Sequence, residues 1–268
     1  MKMDMVVEVL NAHGIKAELS TANKAGINVP CIRFGEGRVT PTVYEQTWDS
    51  FSTEEEVLDF AKKVLNNTPA INIDGFYTKE YVLDNVISCI RHETNDEQAV
   101  KFTTVYEDLE EYFRVPVKVN NDFNGSVVVI KEHLKGLGIE AEELRVAARE
   151  HLKEHATIDS MKNVLTELIG ESIDELPDMG EDFMYVATTD TKSYGASVML
   201  LEDVLADFCL EKGLKSLIII PSSISEIILI ADEQDEAMIN DMICDVNATQ
   251  FTDNSTDILS NHLYRFVA

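Results

Sequence analysis

Apolar positions along this chain recur with a helical period in some stretches and an alternating one in others, and the switches between them predict its elements. Met3–Leu10 reads as a short helix ended by His13-Gly14. Ile15–Leu19, Ile27–Phe34 and Val39–Tyr44 read as extended segments. Asn23, Gly26, Gly35 and Gly37 punctuate them, as in a β-meander. Ser52 followed by Glu55 has the spacing of a capping box for a helix over Thr53–Leu65, whose stripe is Val57, Phe60, Ala61, Val64 and Leu65. A second amphipathic helix is predicted over Thr78–Ile90. Extended segments follow at Phe102–Tyr106 and Phe113–Val119, joined by an acidic turn at Glu107–Glu111, and a strand at Gly125–Ile130. Glu140–His155 is helical, and Asp159 is placed to cap another helix through Ile169.

After Asp182 the pattern becomes regular. It runs strand Phe183–Ala187, helix Ala196–Leu210, strands Leu217–Ile220 and Glu226–Ala231, helix Glu233–Val246 and strand Leu263–Val267. Too few residues separate the two strands around Pro221-Ser222-Ser223 for a crossover helix, so they pair antiparallel. The expected fold class is α+β: a mixed, largely antiparallel sheet with helices packed on one face, an N-terminal β-meander with helices, and a C-terminal α/β sandwich. Two subdomains are expected, 1–120 and 121–268. The polar 66–75 stretch is a candidate hinge, and the acidic 170–182 stretch, with Pro177 and Gly180, is another candidate boundary.

Composition narrows the class. The hydrophobic content of 45% suits a globular core rather than a disordered chain. No run approaches the roughly 20 apolar residues of a membrane helix, and MKMDMVVEVL lacks a secretory h-region. Cys31, Cys89, Cys209 and Cys244 lie far apart without a CxxC pair, which suits buried thiols in a reducing cytoplasm. Charge is the unusual property. The 22 basic and 49 acidic residues give a net −27, and residues 163–268 hold 4 basic against 21 acidic. No Lys or Arg lies between Lys215 and Arg265. Such a surface disfavours direct nucleic-acid binding and binding to anionic membranes.

Several blocks carry a family likeness. They are Arg38–Tyr44 (RVTPTVY), Leu137–Leu144 (LGIEAEEL), Met184-Tyr185-Val186, Tyr194-Gly195-Ala196, Ile220–Leu229 (IPSSISEIIL), Val246–Gln250 (VNATQ) and Leu259–Tyr264 (LSNHLY). In these blocks and their order the chain resembles an uncharacterised protein family of Firmicutes, mostly gut Clostridia, whose members often sit on phages or integrative elements. The resemblance spans nearly the whole chain. It implies the fold and a mobile-element setting, with no assigned catalytic residue, cofactor or substrate. The chain departs from that family at Ser225, where His is usual, and at His151, where Asn is usual.

Candidate chemistry is sparse. His151 and His155 stand in H-x-x-E-H, which on a helix puts both imidazoles on one face, as in zinc sites. No third ligand is identifiable, the spelling is short, and a pair of ordinary helix residues explains it as well. Pro221, Ser222, Ser223, Ser225 and Glu226 offer hydroxyls and a carboxylate, but nothing like G-x-S-x-G surrounds them, so they read as a turn that can serve recognition. Asp232, Glu233, Asp235 and Glu236 lack calcium-loop spacing and read as first-turn helix acids. Asn247, Thr249 and Gln250 form a polar helix end, a candidate contact site. No catalytic residue, resident metal or cofactor is expected.

The first expectation is therefore a non-enzymatic cytoplasmic factor that binds a basic protein, in its sharpest form a nucleic-acid-binding enzyme inhibited by charge mimicry. The alternatives are an enzyme using the serine turn or the histidine pair, and a small-molecule-binding regulatory module.

Overall fold

The computed structural model describes residues 1–24, 27–36, 40–68, 76, 78–118, 124–169, 184–231, 236–250 and 258–268. The chain forms two compact units. One comprises Met1–Gly75, Thr94–Gln98 and Val117–Gly125, the other Phe76–Glu93, Ala99–Pro116 and Ser126–Ala268. The hinge stretch from 69 on, the 170–182 boundary, Val39, Phe183 and Glu233 lie outside the described residues.

The first unit runs α1 (Met3–Ala12), β1 (Ala17–Lys24), β2 (Ile27–Phe34), β3 (Thr42–Tyr44), α2 (Glu45–Asp49) and α3 (Glu54–Asn67). The three strands pair antiparallel in chain order, the expected meander. Val6 and Leu10 of α1, Ile32 and Phe34 of β2, and Val57 and Ala61 of α3 close around Trp48. That indole is fully buried, donates from Nε1 to the Val43 carbonyl at 3.3 Å, and meets the Phe60 ring edge-on. The capping box of α3 uses Thr53 and Glu56, one residue later than expected. Glu56 is the acid that reaches both free amides, accepting from Ser52 N at 2.9 Å and Thr53 N at 3.0 Å. These bonds hold its carboxyl below the ordinary value.

The second unit opens with α4 (Lys79–Asn85) and β4 (Ile87–His92). The single helix expected over Thr78–Ile90 is thus divided. Val86 is extended, and Ile87–His92 pair antiparallel with Leu109–Arg114. Then come β5 (Lys101–Thr103), β6 (Leu109–Lys118) and β7 (Asn124–Val128). β5 stops before the expected Tyr106 because Thr104 Oγ1 turns back to donate to the Tyr106 and Leu109 carbonyls, both at 2.9 Å. The expected Glu107–Glu111 turn is shorter for the same reason, and Glu110 and Glu111 belong to a strand.

α5 (Lys131–Leu137), α6 (Ala141–His155), β8 (Ala156–Ser160) and α7 (Met161–Ile169) follow. Asp159 stays in β8, so Ser160 takes the capping role, its Oγ accepting from Asn163 N at 3.2 Å. Next are β9 (Met184–Thr189), a buried 3-10 helix (Gly195–Leu200), α8 (Glu202–Lys212), β10 (Ser216–Ser223), β11 (Glu226–Ala231), α9 (Glu236–Gln250) and β12 (Tyr264–Val267). The helix expected over Ala196–Leu210 is these two helices broken at Leu201.

β4-β6-β5, with β7 on β6, form one sheet; β12-β10-β11-β9-β8 form the other, and its pairs are antiparallel. The class is α+β. The apolar run of β10 explains how the larger sheet is covered. Side chains alternate faces along a strand, so Leu217 and Ile219 join Leu205 and Cys209 of α8, while Ile218 and Ile220 meet Ile239 and Ile243 of α9. Both faces therefore carry a helix where one covered face was expected. Among the described residues, no helix is long and apolar enough to cross a membrane.

Candidate functional site

The chemistry-bearing residues of the second unit gather around α6. Its buried ridge is Leu144, Ala148 and Leu152. Helical spacing then puts Arg145, Arg149 and Lys153 along one flank and His151 and His155 along the other.

The arginine flank reaches β6. Glu111 is fully buried and accepts from Arg149 Nε at 2.5 Å, Arg149 Nη2 at 2.9 Å, Arg145 Nε at 3.0 Å and Ser88 Oγ at 2.7 Å. Arg145 also lies over the Phe102 ring, 4.5 Å from its centroid. Glu110 points to the opposite face of β6 and is held by Arg91 Nε and Lys101 Nζ, each at 2.8 Å. Arg91 stands directly across the ladder from Glu110. Both carboxylates are paired and hydrogen-bonded, which is what burial of a charge requires. Along the arginine flank opens a cleft of about 790 Å³, bordered also by Thr103–Val105 and Met199–Asp203.

The histidine flank lines a pocket of about 350 Å³ with Ser88, Asp190, Ser193 and Tyr194. His151 Nδ1 lies 3.0 Å from the Val86 carbonyl, and His155 Nδ1 lies 2.8 Å from Asp190 Oδ2. Carbonyl and carboxylate oxygens only accept, so each Nδ1 donates in these contacts. His155 with Asp190 has the form of an oriented base. The neighbouring hydroxyls are engaged locally: Ser197 Oγ donates to the Tyr194 carbonyl at 2.8 Å, and Ser193 Oγ to the Thr191 carbonyl at 3.4 Å. Lys192 and Tyr194 both adopt left-handed backbone, φ 54° and 55°, which is uncommon outside glycine. Among the described residues, no group of three His, Cys, Asp or Glu side chains is arranged to hold a metal ion.

The expected contact residues fall into two groups. Pro221, Ser222 and Ser223, expected as the turn, instead end β10; Ile224 and Ser225 make the turn, and Glu226 opens β11 paired with Ser223. Ser223 Oγ accepts from Ser225 N at 3.1 Å, the Ser225 carbonyl accepts from Thr188 Oγ1 at 2.7 Å, and the Ile224 carbonyl accepts from Ala196 N at 3.3 Å. The turn is thereby fastened to β9 and the 3-10 helix. The other group is on α9. Glu236 pairs with Arg265, Thr249 Oγ1 bonds back to the Asp245 carbonyl at 2.9 Å, and Gln250 is the last helical residue. Asp232, Glu233 and Asp235 lie outside the described residues.

Asn247 is buried rather than presented to a partner. Its Nδ2 donates to the Ser260 carbonyl at 3.0 Å and to Asn261 Oδ1 at 2.9 Å. With Asn240, whose Oδ1 accepts from Leu263 N at 2.8 Å, it pins the segment before β12. That segment sets a cluster sequence reasoning missed. Asp108 accepts from Tyr264 Oη at 2.6 Å and Ser260 Oγ at 3.0 Å, and His262 Nε2 lies 3.3 Å away. Partial burial alone would raise the Asp108 carboxyl. The bonds from Tyr264 and Ser260, with His262 nearby, outweigh it and hold the pKa below the ordinary value. The folded state therefore favours the carboxylate. Its stabilisation is present above the unfolded pKa of about 3.9 and is lost as pH falls through the folded value. Asp108→Asn is expected to be less stable than the native chain near neutrality, with the gap closing below about pH 4. Urea unfolding at stepped pH checks this; a gap that widens on acidification would refute it.

Fold and site together define an α+β protein whose distinguishing groups are buried carboxylate–guanidinium clusters and a histidine-lined pocket. The model of the family described as "Family of unknown function (DUF5688)" matches residues 6–267, and the chain belongs to that family. An uncharacterised family is what the sequence blocks implied. No curated protein and no solved structure matches the chain.

Proposed function

We propose that this protein is an acidic, non-enzymatic factor that binds a basic protein partner. The observation that supports the reading best is where its cations go. Arg91 and Lys101 are drawn onto Glu110, Arg145 and Arg149 onto Glu111, and Arg265 onto Glu236. With 22 basic against 49 acidic residues, these pairs leave a surplus of carboxylates for the surface. Carboxylates on ordered helices and sheets present a field like that of a phosphate backbone, which attracts cationic proteins and repels nucleic acid and anionic lipid. In its finer form the factor is a cytoplasmic accessory protein of a phage or mobile element in Firmicutes. There it occupies the nucleic-acid groove of a host nucleic-acid-processing or defence enzyme.

The test is a pull-down of the tagged full chain from a clostridial lysate at low and high salt, read by mass spectrometry. A stoichiometric basic protein retained at low salt and released at high salt is expected. Absence of any such partner at both salts overturns the reading.

A second reading, an enzyme or small-molecule-binding module, draws support from the left-handed Lys192 and Tyr194 beside His155 and Asp190. Backbone strain of this kind gathers at functional pockets. A metabolite that raises the melting temperature of the native chain but not of His155→Ala favours it. Stoichiometric zinc lost in His151→Ala would instead make the pocket a metal site.

A further inference from the structure

α9 is seated on the second unit by one narrow ridge. Ile239, Ile243 and Asn247, four apart, are its buried residues. Immediately beside them, at the same spacing, Met238, Met242 and Val246 stand 71%, 47% and 47% exposed. At 3.6 residues per turn these three form a continuous row about 100° around the helix from the buried ridge. Single exposed apolar residues are ordinary, but an uninterrupted row of three large ones marks a contact surface. Methionine suits such a surface, because its unbranched thioether adapts to the shape of what it meets.

The far side of the row is acidic. Asp241 and Asp245 follow Met238 and Met242 by three residues, which sets both exposed carboxylates along its solvent edge. No Lys or Arg occurs between Lys215 and Arg265, and Arg265 is paired to Glu236 at the start of α9. An apolar row bordered by carboxylates complements a segment with the converse pattern. A second copy of the chain would set aspartate against aspartate, and an anionic lipid surface would be repelled.

We propose that this face of α9 docks a cationic amphipathic helix, its apolar side against Met238, Met242 and Val246 and its Lys or Arg row against Asp241 and Asp245. The inference rests on the reading of the protein as a binder of basic partners, and it names the surface and the form of the partner.

The probe is a fluorescent Leu/Lys peptide of about five helical turns, with Leu at every third and fourth position. A peptide of equal composition in scrambled order is its control. Anisotropy is measured with the full chain, Met242→Glu and Leu210→Glu. Leu210 is an exposed apolar residue of α8, so its variant adds the same charge elsewhere. Added negative charge strengthens a purely electrostatic complex and weakens one seated on an apolar row, so the sign of the Met242→Glu effect decides. The expected result is binding of the ordered peptide over the scrambled one, weakened about tenfold by Met242→Glu and left within about twofold by Leu210→Glu.

Equal binding of both peptides, with Met242→Glu no weaker than the native chain, overturns the docking face while leaving the acidic-binder reading in place. Failure of both peptides to bind at low salt overturns the two together. Sedimentation that reveals a dimer dispersed by Met242→Glu overturns the peptide as occupant in favour of a second copy.

Discussion

Replacing Glu111 by alanine should destabilise the second unit by about 3–5 kcal/mol. The carboxylate has no exposed surface and accepts from Arg145, Arg149 and Ser88 at once. Its removal leaves two guanidinium groups directed at a cavity and a buried hydroxyl without its acceptor. Breaking one side of a buried pair costs more than the pair contributes net, because the stranded charge keeps its desolvation penalty. Arg145 and Arg149 are 31% and 23% exposed, so water reaching them from the cleft draws the loss toward the lower end of that range. Glu111→Gln, which keeps the shape and removes the charge, should fall between the two. Urea unfolding followed by far-ultraviolet circular dichroism measures both. A loss below about 1 kcal/mol for the alanine variant would mean that the cluster is not what joins α6 to β6.

Gly195→Ala should be nearly as damaging, at about 3 kcal/mol, the upper part of the overpacking range. An added methyl at Gly195 would sit 2.2 Å from Thr188 Oγ1, 2.5 Å from the Ser225 carbonyl oxygen and 2.7 Å from Thr189 N. The last two are backbone atoms of the β10–β11 turn and β9, so no side-chain rotation relieves them. Combining the change with Thr188→Ala removes only the first clash and should recover less than half of the loss. A double variant restored to native stability would show that the backbone can yield. The position also explains why Tyr194 tolerates a left-handed conformation. The chain must turn sharply there to bring Gly195 against the neighbouring strand.

The elements that local pattern captured are those whose partners lie nearby in sequence. α1, the β1–β2–β3 meander, α6 and the β10–β11 hairpin each declare themselves within a short window. The helical spacing of Tyr81, Val82, Asn85, Val86 and Cys89 predicts a helix through Ile90, whereas Ser88 and Ile90 also satisfy an alternating pattern. Pairing with β6 decides between them. The charge of Glu110 and Glu111 points to a solvated turn, because charged residues are normally exposed. The residues that make their burial tolerable, Arg145 and Arg149, lie 34 and 38 positions from Glu111. The alternation of Leu109, Glu111, Phe113 and Val115, all buried, was the available signal. Two arginines four apart on a helix in so acidic a chain were the second.

The candidate site was legible in part. The sequence places a turn at Pro221-Ser222-Ser223, whereas pairing with β11 carries β10 through Ser223 and leaves the turn to Ile224-Ser225. That turn is fastened to β9 and the 3-10 helix, and Asn247 is turned inward. The meeting of Asp108 with His262 could not be anticipated, because more than 150 residues separate Asp108 from Tyr264 and Ser260. The exposed row on α9 was hidden for a different reason. Helical periodicity reveals that a helix has an apolar side, and α9 has two adjacent apolar rows. Only the packing of Ile239 and Ile243 against the sheet distinguishes the buried row from the exposed one.

Trp48 is the only tryptophan in the chain and is enclosed by α1, β2 and α3 of the first unit. Indole emission is therefore an optical readout of the packing of that unit. Loss of the packing around Trp48 would expose the indole and shift its emission to the red. Shifts in that signal during ligand or peptide titrations would in turn report on the first unit rather than on α9 or the histidine pocket.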